Sequence, residues 1–325
     1  YDQPNLFGQA KSGSLRWDFG RYINSFEMTY TDPAIFQSRT SATVSLFNSR
    51  DRFFQFSSGR RRRIGTNLRL GFPFRGSQRT RVFVGYGLSR TKYELFDDVD
   101  DTSLFGRPPG IQSQLSLGIT RQTLNHPIFP TTGSRQNINI EQNGGFLGGD
   151  GKFTRVLGDG SWWVPVGQLG GSDQGGGIRF ALGLTLRGGA VFGDAEAFPF
   201  DRFWMGGVQF GQNLRGYDET SITPLGFFPQ NSGTISEIDR LGDAFFSLTA
   251  EYAIRMSDQI GVSMFYDAGS VWRDPGEFDP STLYRGAGVG MQIVTPFGPL
   301  GLDYAYGFDR TTPGWQLHFR MGPGM

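Results

Sequence analysis

The chain has 325 residues, only 37% of them hydrophobic, with 49 glycines, 15% aromatic residues and a mean hydropathy of −0.33. That is glycine-rich and poor in aliphatic residues for an ordinary globular core of this length, and no run of about 18 apolar residues exists that could form a transmembrane helix. The net charge of +1 offers no global field to recruit nucleic acid, and a chain without cysteine and with only two histidines, His126 and His318, has neither a cysteine nucleophile nor ligands for a zinc site.

A polar chain can still lie in a membrane if each spanning strand offers only alternate residues to lipid. Read in chain order, period-two alternation and flanking turn residues predict about fourteen strands. They are Ser14–Gly20, Ile23–Tyr30, Thr40–Asn48, Arg62–Phe72, Arg81–Arg90, Ile111–Arg121, Ser134–Gln142, Thr154–Pro165, Arg179–Gly188, Ala244–Met256, Gln259–Trp272, Tyr284–Thr295, Leu300–Phe308 and Gln316–Met321. In Arg81–Arg90, Val82, Val84, Tyr86 and Leu88 share one face while Gly85, Gly87 and Ser89 share the other. Lengths near ten residues suit a strand tilted across a bilayer. The fold class is therefore all-β, a transmembrane antiparallel β-barrel filling residues 1–325.

The connections alternate between short and long. The segments at 73–77 and 296–299 are tight Pro/Gly turns, whereas 192–242 is too long for a hairpin, and a loop of that size has a function of its own. It contains Leu214-Arg215-Gly216-Tyr217 in a glycine-rich setting. The basic run Arg60–Arg63 could be a ligand patch, but strand-end charge near lipid headgroups is the favoured reading. Parity in the late strands turns Glu251, Arg255, Asp267 and Asp303 to the lumen, away from lipid, where a charge costs several kcal/mol. Glu251 and Asp267 lie on the two strands that follow the Arg215 loop, so they are its candidate partners. In the final strand Leu317, Phe319 and Met321 point outward, His318 and Arg320 inward.

Five segments in order carry a family resemblance. Phe26 to Phe36 looks like a "TxPxF" strand end, Phe129-Pro130-Thr131-Thr132-Gly133-Ser134-Arg135 like a "PTxGSR" turn, Leu214 to Tyr217 like an "(V/I)RG(F/Y)" loop, Phe265 to Trp272 like an "FxDxGxVW" strand, and Thr295 to Leu300 like an "SPxGPL" turn. Together they resemble the barrel domain of the BamA-type outer-membrane insertases, within the bacterial surface antigen superfamily. The resemblance implies a sixteen-stranded barrel in the bacterial outer membrane that folds and inserts other barrel proteins through a lateral seam. It also implies that Arg215 reaches into the lumen to pair with Asp267, with Glu251 nearby, and that the final strand, Gln316–Met321, borders the seam. The implied partners are unfolded outer-membrane proteins, outer-membrane lipids and lipopolysaccharide, and accessory lipoproteins; no cofactor, metal or bond-making chemistry is implied. Soluble POTRA repeats and the first two strands of that family have no counterpart here, since Asn5-Leu6-Phe7-Gly8 resembles the turn after the second strand. A protein-translocating transporter of the same superfamily, or a passive porin, shares much of this pattern.

Overall fold

Strict alternation, with glycine, serine and asparagine on one face and large apolar residues on the other, gives each strand one side that must leave water and one that need not. The only closed answer for many such strands is a sheet curled on itself. The computed structural model describes all residues except 7, 54, 55, 57, 97–102, 172–175, 231–234, 297 and 322–325. Its strands are β1 (Asp2–Leu6), β2 (Lys11–Phe19), β3 (Ile23–Asp32), β4 (Ser41–Asp51), β5 (Gly59–Pro73), β6 (Thr80–Leu95), β7 (Gly110–Gln122), β8 (Gly133–Gly144), β9 (Lys152–Leu169) and β10 (Ile178–Asp194). Two two-residue strands, β11 (Ile222–Thr223) and β12 (Gly226–Phe227), pair inside the long loop, followed by β13 (Ala244–Arg255), β14 (Ile260–Trp272), β15 (Tyr284–Thr295), β16 (Gly298–Gly307) and β17 (Gly314–Met321).

Fifteen of these form one antiparallel up-and-down sheet in sequence order, β1 to β10 and then β13 to β17. The count exceeds the sequence expectation by one, because Asp2–Leu6 pairs with β2 ahead of the turn at Gly8. The tight turn before β16 includes position 297, outside the described residues. No pairing joins β1 to β17 among the described residues.

Side-chain direction follows the expected parity. On β6, Val84, Tyr86 and Leu88 are exposed while Gly85, Gly87 and Ser89 are buried. On β14, Met264 and Tyr266 are exposed and Phe265 and Asp267 buried. Around the sheet the exposed positions are large and apolar, among them Leu46, Ile64, Leu117, Leu182, Val289 and Phe319. Such a continuous apolar exterior is a lipid-facing band rather than a soluble surface.

The core lies inside the curl, made largely by the connection of residues 195–243. That connection touches the wall all round: Glu237 at Ser58, Asp201 at Gln112 on β7, Arg215 at Asp267 on β14 and Asp218 at Gln316 on β17. One apolar cluster joins Phe198, Phe203, Met205, Leu214, Tyr217 and Ile222 of the loop to Phe153, Phe245 and Val271 of the wall. A second joins Phe200 and Leu241 to Phe56, Tyr93, Leu104 and Phe105 near the long-loop end. Full burial of each such side chain contributes about 1.5–3 kcal/mol, which fixes the loop in place.

Candidate functional site

The site is where the loop backbone lies against the wall of β14 to β17. Several inward positions there are small: Gly286, Gly288 and Gly290 on β15, Gly301, Ala305 and Gly307 on β16. The absence of side chains lets main chain approach main chain. A Cβ at Gly286 would stand 2.2 Å from the Arg215 carbonyl oxygen, and one at Gly307 would stand 2.3 Å from the Gly216 carbonyl oxygen. Gly216 itself has φ +90°, open to glycine at little cost, and its own α-carbon faces the Gly307 backbone.

This approach aims the Arg215 side chain down into the lumen. Its Nε donates to Asp267 Oδ2 at 2.6 Å and its Nη2 to Asp267 Oδ1 at 2.8 Å, a bidentate fork that fixes both position and plane. Thr249 on β13 donates its hydroxyl to Asp267 Oδ1 at 2.8 Å and so orients the carboxylate. The guanidinium carbon sits 3.3 Å from the centre of the Phe265 ring, a cation–π contact beneath the fork. Asp303 on β16, fully buried, brings its Oδ1 to 3.8 Å from Arg215 Nη1 and its Oδ2 to 2.7 Å from Arg320 Nε on β17. The cluster thus holds two arginines against two aspartates.

The two residues after the arginine extend the attachment. The Gly216 N–H donates to His318 Nε2 on β17 at 2.9 Å, so that nitrogen accepts and carries no proton. Tyr217 is fully buried; its hydroxyl donates to the Arg285 carbonyl at 2.8 Å and accepts from the Asp309 N–H at 3.1 Å. Leu214, also fully buried, packs in the loop cluster. Farther along, Glu219 accepts the N–H groups of Val208 and Gln209 at 2.7 and 2.9 Å, and Gln209 Nε2 reaches the Phe319 carbonyl at 3.4 Å.

Leu214, Arg215, Gly216, Tyr217 and Asp267 therefore meet at one place. Glu251 lies one rung away on β13 and acts on Arg215 through space rather than by direct contact. It lies opposite Phe265, whereas Thr249 lies opposite Asp267, and among the described residues it makes no ion pair or hydrogen bond with Arg215. The second carboxylate at ion-pair distance is Asp303. Glu251 instead lines a cavity of about 270 Å³ below the cluster, with Arg135, Asp159 and Arg187, floored by Phe129 of the turn at 123–132. Leu317, Phe319 and Met321 all face outward and are exposed.

A family model for the Omp85 superfamily domain matches residues 5–324. The chain belongs to the Omp85 superfamily. This Omp85 barrel is 28% identical, over 98% of its length, to "Outer membrane protein assembly factor BamA" of Nitratidesulfovibrio vulgaris, covering 39% of that protein. Over 68% of its length it is 25% identical to "Sorting and assembly machinery component 50 homolog A" of Xenopus laevis, covering 44% of it. The chain thus spans about two-fifths of the curated relatives it matches. Among solved structures, a BamA from Haemophilus ducreyi lacking POTRA domains 1–3 superposes with a TM-score of 0.75 at 22% identity, over 98% of this chain and 65% of that one. The fold is that of an outer-membrane barrel.

Proposed function

We propose that this barrel folds and inserts other β-barrel proteins into the outer membrane through a lateral seam bordered by β17. Its substrates are unfolded outer-membrane proteins, and it works among outer-membrane lipids, behind soluble repeats of the POTRA kind and with accessory lipoproteins. No covalent bond is made or broken, so the barrel acts as a catalyst of folding rather than as an enzyme in the chemical sense.

The physical problem is clear. A strand entering lipid must satisfy every backbone N–H and C=O, and a closed barrel has no edge to offer. A weak seam supplies that edge by strand addition. The observation that carries the reading is the attachment of the loop to the strands beside β17, through Arg215 to Asp267 and Asp303 and through Gly216 to His318. This ties the lumen filling to the wall next to the proposed seam and steadies β17 while its outer face, Leu317, Phe319 and Met321, stays in lipid. A passive porin fits less well, because the 195–243 loop and its two apolar clusters occupy the outer part of the lumen.

The test is reconstitution of the complete protein, with whatever precedes residue 1, into liposomes. A urea-unfolded barrel protein is added and its folding followed by gel mobility of unheated samples. Folding faster than with empty liposomes supports the reading. Folding at the lipid-only rate, together with large steady conductance in planar bilayers, would replace it with a channel.

A further inference from the structure

The run Arg60–Arg63 is split by parity. Arg61 turns inward to Asp51 at 3.1 Å, and Arg63 turns inward over the Phe47 ring. Arg62 faces outward, and its neighbours across the sheet are also cations: it pairs with Arg50 on β4 and with Lys92 on β6. Arg90 lies two residues from Lys92 on the same outward face, opposite Ile64. All four side chains are exposed, and none has an ion-pair partner among the described residues. By contrast the next rung outward, Arg60 with Glu94, is a closed pair at 2.5 Å.

Like charges directly opposite one another on adjacent strands repel. Three in a row, with strands about 4.8 Å apart, place Arg50, Arg62 and Lys92 along about 10 Å. Glu94, already paired with Arg60, also acts on Lys92 and Arg50, but one carboxylate leaves this row of cations with an excess of positive charge for an anion outside the chain to balance. Their level decides which anion. The row lies near the strand ends that carry the long loops, and directly beneath it the same face becomes apolar, with Leu46, Ile64, Leu68, Tyr86 and Leu88 exposed. That is the boundary between headgroup and hydrocarbon in the outer leaflet. Two exposed amides flank the cations, Asn24 opposite Arg50 and Asn48 opposite Ile64, suited to sugar hydroxyls.

We propose that the outward face of β4 to β6 binds the headgroup of a glycolipid carrying at least two phosphates, with Arg50, Arg62, Lys92 and Arg90 holding the phosphates and the apolar rows beneath holding its chains. Arginine can take phosphate oxygens bidentately, which suits it to this position.

The experiment places the protein in phosphatidylcholine nanodiscs and measures binding of bis-phosphorylated lipid A, phosphatidylglycerol and inorganic pyrophosphate by native mass spectrometry. Each cation near an anionic surface is worth about fivefold in affinity, so the triple variant Arg50→Gln, Arg62→Gln, Lys92→Gln should bind lipid A at least about tenfold more weakly. Arg75→Gln, in a periplasmic turn, should bind as the parent does. Heat-modifiable gel mobility confirms that the triple variant is folded; if it is not, Arg62→Gln alone should still weaken binding by about fivefold. The proposal is overturned if the folded variant binds lipid A like the parent, or if phosphatidylglycerol or free pyrophosphate binds as tightly as the bis-phosphorylated lipid.

Discussion

The Arg215 carbonyl oxygen occupies the space where Gly286 would carry a side chain, 2.2 Å from an ideal Cβ. The obstacle is backbone, which cannot rotate aside. Gly286→Ala should therefore push the loop off the wall and cost about 1–3 kcal/mol, the usual range for overpacking. Proteolysis of the folded protein checks this: new cleavage within 205–225 is expected, and an unchanged pattern would show that the loop tolerates the extra methyl group.

The Arg215–Asp267 fork is nearly dry, with side chains 10% and 5% exposed. Loss of one member of a buried pair costs about 3–5 kcal/mol, which lumenal water reduces. Arg215→Ala and Asp267→Ala should each loosen the loop and slow insertion, and the double variant should be little worse than either. A coupling energy of at least about 1 kcal/mol in the double-mutant cycle is expected. Additive effects would separate the two residues.

Arg240, almost fully buried, threads the upper loop and donates to the carbonyls of Thr220 at 3.0 Å, Phe228 at 3.2 Å, Pro229 at 3.0 Å and Gln230 at 3.4 Å. Bonds from a charged donor contribute about 1.5–3 kcal/mol each before water compensates. Arg240→Met should destabilise the loop by about 2 kcal/mol, and Arg240→Lys should recover only part of that, because an ammonium lacks the planar fork. Equal unfolding midpoints for the parent and both variants would refute it.

The periplasmic turn at 123–132 contains a pH-sensitive contact. His126 Nδ1 accepts the N–H groups of Ile128 at 3.2 Å and Phe129 at 2.9 Å, and its ring stacks on Phe129, which covers Gly261. Burial, and then the nearby Arg255, hold the His126 pKa below its usual value, against the opposing pull of Asp258. The folded turn prefers the neutral ring, so its stability is complete above the unfolded value of about 6.5 and falls as pH drops through the lower folded one. Hydrogen exchange at Ile128 and Phe129, corrected for intrinsic rate, should accelerate between about pH 7.5 and pH 5. His126→Asn keeps an acceptor without titrating and should remove the acceleration.

Much of the barrel could be read from alternation, because a period of two is a property of sequence alone. The exceptions have physical causes. β1, Asp-Gln-Pro-Asn-Leu, has no apolar alternation and is recognised only by its pairing with β2. β10 runs six residues past its expected end, to Asp194, because its outer portion lies among the long loops, where lipid no longer demands apolar side chains. Parity turned Asp267, Asp303, His318 and Arg320 inward, but parity gives a face and not a height. Register supplies the height: it sets Thr249 beside Asp267 and moves Glu251 one rung away, to Phe265. The glycines at 286, 288 and 290 were in plain view. The structure gives each its own reason: the loop's Arg215 carbonyl fills the space at Gly286, the Tyr304 carbonyl and Phe265 ring fill it at Gly288, and the Asp303 carboxylate fills it at Gly290.

Gly286 on β15 and Gly307 on β16 make the wall and the loop backbone two halves of one solid. A side chain at either position could be accommodated only if the loop backbone moved off the wall, because carbonyl groups, not rotatable side chains, fill the space.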